Sequence, residues 1–77
     1  MNQDELCKLH LRRIDVGQIL NALEIRAETW ENTVRYARGE FVEGTIEEYS
    51  SPEETEEIMH HYQFIIGRIE AQLATPE

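Results

Sequence analysis

Apolar residues recur at alternating spacings of four and three through Val16, Leu20, Leu23, Ala27, Trp30, Val34, Ala37 and Phe41. That spacing places them on one seam of a helix, and Ile19 widens the stripe. The start of this helix is expected at Asp15, a good cap, with Gln18 three residues on where a capping-box partner belongs. Ile14 and Ile19 then stand where a hydrophobic staple would close across the cap. Gly39 is expected to end the helix in a left-handed turn, with Gly44 as the alternative if the helix runs through Phe41. The first helix therefore reads as about residues 16–38, roughly 35 Å long at the standard rise.

A second helix is expected over 52–73. Ser51-Pro52-Glu53-Glu54 combines a serine cap, proline at the first helical position and glutamate at the third. Glutamates in the first turn suit the positive end of the helix dipole. Its seam is Thr55, Met59, Tyr62, Ile66, Ile69 and Leu73, broadened by Ile58 and Ile65. Pro76 is expected to stop it. Two helices of nearly equal length joined by one connection make an antiparallel helical hairpin, so the fold class is all-α.

The flanking segments are less regular. Residues 40–51 are long for a helix–helix connection. They include Phe41, Val42, Ile46 and Tyr49, which either plug the tip of the hairpin or form a partner-binding loop. Thr45-Ile46-Glu47-Glu48 fits a capping box, so a short extra turn is expected there. In residues 1–14, Leu9 and Leu11 alternate with polar neighbours, favouring an extended arm. A short helix capped by Asn2 is the alternative. The chain thus reads as one domain over 1–77: an arm at 1–14, the first helix with its caps at 15–39, an acidic connection at 40–51 and the second helix at 52–74.

Length makes a partner part of the expectation. A chain of 77 residues buries only about 60% of the surface its unfolded form exposes. Disulfides, a metal or oligomerisation usually make up the difference, and Cys7 is the sole cysteine. The two seams are also wider than one facing helix can cover. Pairing two hairpins into a four-helix bundle would bury Leu20, Leu23, Ala27, Trp30, Val34, Met59, Tyr62, Ile66, Ile69 and Leu73. Ile25, Tyr36 and Phe64 fall on the opposite faces, as tolerated surface residues or as sites covered by the arm or a second subunit.

Charge narrows the range of partners. Residues 1–39 hold six acidic and six basic side chains, whereas residues 40–77 hold ten acidic residues against Arg68 alone. Binding to nucleic acid or to an anionic membrane is therefore not expected, because both need clustered lysine or arginine. The start, Met1 to Glu5, lacks the basic and apolar parts of a signal peptide, and a lone thiol suits a reducing compartment. A cytoplasmic location is expected.

Candidate chemistry is thin. Glu57-Ile58-Met59-His60 has the Glu-x-x-His spacing of di-iron carboxylate bundles, but at helical spacing Glu57 and His60 lie far from the second seam and face solvent. Cys7 near Lys8 and His10 has no base and orienting group in a recognisable triad. Glu28-x-x-Glu31 with Glu53-x-x-Glu56 or Glu54-x-x-Glu57 resembles the all-α nucleoside triphosphate pyrophosphatases of the MazG type. That resemblance implies Mg²⁺ held between paired carboxylates, although the second motif of that family ends in Asp. The run Ala22 to Thr33 also resembles short bacterial or prophage-type proteins and implies no particular activity. The leading expectation is a non-enzymatic, homodimeric interaction module or regulator with no cofactor or metal, and with a further protein partner to be identified. An acidic decoy of a nucleic-acid-binding surface is the first alternative, and a Mg²⁺-dependent pyrophosphatase the second.

Overall fold

The computed structural model describes residues 3–74, in which two helices pack against each other: α1, Arg13–Ala37, and α2, Pro52–Ala74. The described residues include no strand, and residues 6–12 carry no regular secondary structure. Neither the strand considered at Leu9–Leu11 nor a helix through Cys7 forms. The cap considered at Asn2 and the stop expected at Pro76 lie outside the described residues.

Helix α1 begins earlier than its apolar pattern predicts. Its N-cap is Arg12, not Asp15, so Asp15 serves at the third helical position. There its carboxylate accepts the Arg12 backbone N–H at 3.2 Å and the Arg12 guanidinium at 2.9 Å. The salt bridge to Arg12 holds the Asp15 carboxyl below the usual carboxylate range. Aspartate is favourable at both positions, because either way it meets an orphan N–H at the positive end of the dipole. With the start displaced, the expected staple does not close: Ile14 and Ile19 are 65% and 42% exposed.

The other end of α1 is a Schellman turn. The Gly39 N–H donates to the Tyr36 carbonyl at 2.9 Å and the Glu40 N–H to the Arg35 carbonyl at 3.1 Å, with Gly39 at φ +88°. This pairs carbonyls the helix leaves open. The helix therefore stops before Phe41, which leaves the seam and stands 85% exposed. An added Cβ at Gly39 would meet no atom within 4 Å, so substitution carries a purely conformational cost. Gly39→Ala should destabilise the fold by about 1–2 kcal/mol, read as a lower denaturant midpoint with unchanged slope.

Helix α2 starts as expected. The Ser51 Oγ accepts the Glu54 N–H at 3.2 Å. The Glu54 carboxylate reaches one residue beyond the usual box partner, to the Ser50 N–H at 2.7 Å. Thr55, wholly buried, turns its hydroxyl back to the Pro52 carbonyl at 2.6 Å.

The helices run antiparallel and are pinned at both ends. Arg38, just past α1, pairs with Glu56 on α2. At the open end, the Arg13 guanidinium reaches the Leu73 carbonyl at 3.5 Å. The molecule measures 46 × 28 × 17 Å, and 17 Å is less than two stacked layers of helices need, at about 8–10 Å between axes and about 10–12 Å across each helix. It is a slab with one layer of helices. Only Trp30, Thr33, Val34 and Thr55 are buried among the described residues, and all four lie toward the tip.

Candidate functional site

The connection between the helices does not plug the gap at the tip as a separate turn. It lies back along α1 and is held there by a hydroxyl and an ion pair. Thr33, fully buried on α1, donates to the Thr29 carbonyl at 2.8 Å and accepts the Glu47 N–H at 2.9 Å. A threonine hydroxyl can do both at once. The short turn expected at Thr45–Glu48 does not form, because the Glu47 N–H is used against α1 and its carboxylate pairs with Arg26. Gly44 passes so close to α1 that a Cβ there would sit 2.8 Å from the Asn32 amide nitrogen.

Arg26 joins α1 to the connection through its ion pair with Glu47. Its guanidinium is held above its usual pKa by the Tyr62 hydroxyl of α2 first and by the Glu47 carboxylate of the loop second. Of the residues expected to form a partner-binding loop, Val42 and Tyr49 are half-buried, Ile46 is 37% exposed, and Phe41 is almost bare. The tip thus presents one large aromatic side chain between Glu40 and Glu43.

Thr33, Arg26 and Ile19 are seven residues apart on α1. Heptad spacing drifts by only about 20° per repeat, so the three share one stripe. The loop rests on the Thr33 and Arg26 part of that stripe. The Ile19 part is uncovered and borders an open groove of about 510 Å³. Val16 and Ile19 of α1, Ile69 and Leu73 of α2, and Leu9 and Leu11 of the preceding segment supply its apolar lining. Leu9 is 75% exposed. One face of the slab is therefore covered by the chain's own loop toward the tip and bare toward the open end.

The seam residues follow the same gradient. Trp30 and Val34 are buried, whereas Leu20, Leu23, Ala27, Met59, Tyr62, Ile66, Ile69 and Leu73 are only half-buried. The Trp30 indole N–H is enclosed without a hydrogen-bond partner, an arrangement that costs about 1–3 kcal/mol. On the outer faces, Ile25, Tyr36 and Phe64 are 59%, 49% and 59% exposed. Phe64 carries the Arg68 guanidinium over its ring at 5.6 Å.

The carboxylates that suggested chemistry do not converge. Among the described residues, no three His, Cys, Asp or Glu side chains are placed to hold a metal ion. Glu56 is engaged by Arg38 and Glu54 by the Ser50 N–H, while Glu57 and His60 are exposed. No helix among the described residues is long and apolar enough to cross a membrane.

No family model, curated protein or solved structure matches this chain.

Thr33 and Arg26 are the two residues that pattern reading missed. Their signal was their seven-residue spacing from each other and from Ile19, a second row beside the apolar seam.

Proposed function

We propose that this protein is a non-enzymatic interaction module that works as a homodimer, two hairpins stacking their broad faces into a four-helix bundle. The observation that carries this reading is the uncovered surface. The chain exposes 6548 Å², against about 4,900 Å² for a folded monomer of its mass. The excess of about 1,600 Å² is shared between the segment before α1, exposed throughout from Gln3 to Arg12, and the half-covered helix faces, and it exceeds the roughly 800 Å² per partner of a standard interface. Most of the seam is half-buried in a slab with one helix layer, which is the condition that a second such layer relieves.

In this reading the half-buried Leu20, Leu23, Tyr62 and Ile66 form the centre of the dimer core. The acidic second half keeps the assembled module soluble. Sedimentation equilibrium at micromolar concentration should return the mass of a dimer. A well-folded monomer under those conditions overturns the proposal.

A further inference from the structure

We infer that the open-end groove is the receptor for Phe41 of a second copy, so that the two hairpins pair antiparallel and each tip closes the other's open end. The inference rests on the self-association proposed above and adds its direction and its anchor.

The first argument is shape. The same face of the slab is built up by the loop over Thr33 and Arg26 and left hollow beside Ile19. Turning a second copy end for end brings the raised part of each molecule over the hollow part of the other. Parallel stacking would set loop against loop and leave both grooves empty. A two-fold axis across the helices makes the two contacts identical, which is the usual symmetry of dimers.

The second argument is charge. Lys8-Leu9-His10-Leu11-Arg12-Arg13 carries three basic side chains and no acid, and Arg13 lines the groove itself. Lys8 and Arg13 have no carboxylate partner among the described residues, since the ion pairs there use Arg12, Arg26, Arg35 and Arg38. At the tip, Glu43, Glu48, Glu53 and Glu57 are exposed and belong to none of those pairs. Antiparallel pairing sets these opposite charges against each other, whereas parallel pairing sets like against like. Phe41 is the side chain suited to enter the groove, being the most exposed large apolar group at the tip and the kind of aromatic anchor that fills an apolar pocket at an interface.

The native Cys7 lines the groove and supplies the test. A Glu43→Cys variant is oxidised with glutathione disulfide at a concentration where it sediments as a dimer, and the bridged peptides are identified by mass spectrometry. The expected product is a dimer in which Cys7 of each copy is bridged to the introduced thiol at position 43 of the other. Such bridges can form only between copies: within one chain Gly44 lies against Asn32 and Cys7 lies beside Ile19, about 20 Å apart along α1, well beyond the reach of a disulfide. In parallel, Phe41→Asp should raise the dissociation constant about tenfold or more, while Phe64→Asp on the outer face of α2 leaves it unchanged. Bridges joining Cys7 to Cys7, or position 43 to position 43, overturn the inference and leave self-association standing, as does a dimer that does not bridge. A monomer overturns both.

Discussion

Replacing Trp30 by alanine should unfold the chain or leave it at the edge of stability. Burial makes this the most damaging single substitution: Trp30 and Val34 are the two buried apolar side chains among the described residues, and Trp30 is the larger. Removing a buried tryptophan costs about 3–5 kcal/mol. A domain of 77 residues has about 4–12 kcal/mol in all, so most of the lower half of that range disappears. The neighbouring Thr33 and Thr55 cannot move in to fill the space, because both hydroxyls are committed to backbone carbonyls. Far-ultraviolet circular dichroism on heating would register the loss as a broad, early transition. A Trp30→Ala protein that melts like the parent would mean that the core lies elsewhere.

The second large effect comes from dilution alone. If the half-buried seams close only in the dimer, then folding and association are one equilibrium, and stability depends on how much protein is present. A hundredfold dilution should lower the unfolding free energy by about 2.7 kcal/mol per mole of dimer. Intrinsic fluorescence of Trp30, the sole tryptophan, follows this over a wide concentration range, with the midpoint in urea sliding downward at each dilution. A midpoint independent of concentration would show that the slab is stable by itself, and would remove the physical reason for pairing.

Both helices and their antiparallel arrangement were legible in the amino-acid order, because each was written locally and more than once. Ser51, Pro52 and Glu54 mark the start of α2 by three separate rules, and Gly39 marks the end of α1 by the one conformation glycine adopts most freely. The start of α1 was misplaced by three residues for an equally local reason. Asp15 looks the same whether it caps a helix or sits at its third position, and Arg12, the actual cap, offers no acceptor to announce itself. Phe41 shows a different limit: heptad arithmetic continues past the residue where the backbone turns away. The course of the loop was not legible from the loop's own residues. It depends on Thr33, which in a helical pattern reads as a neutral polar position, and on a contact with Glu47 across fourteen residues of chain. The open-end groove was hidden likewise, since its walls come from three segments that only the fold brings together.

The doubly used Thr33 hydroxyl has a bearing on how the molecule opens. Its donor bond is made to the Thr29 carbonyl inside α1 and its acceptor bond is made to the loop, so the geometry of one depends on the other. Fraying of that helical turn therefore releases the connection with it. The Glu47 amide should exchange its hydrogen no slower than the amides of the turn that holds it, because every opening of that turn also releases the connection.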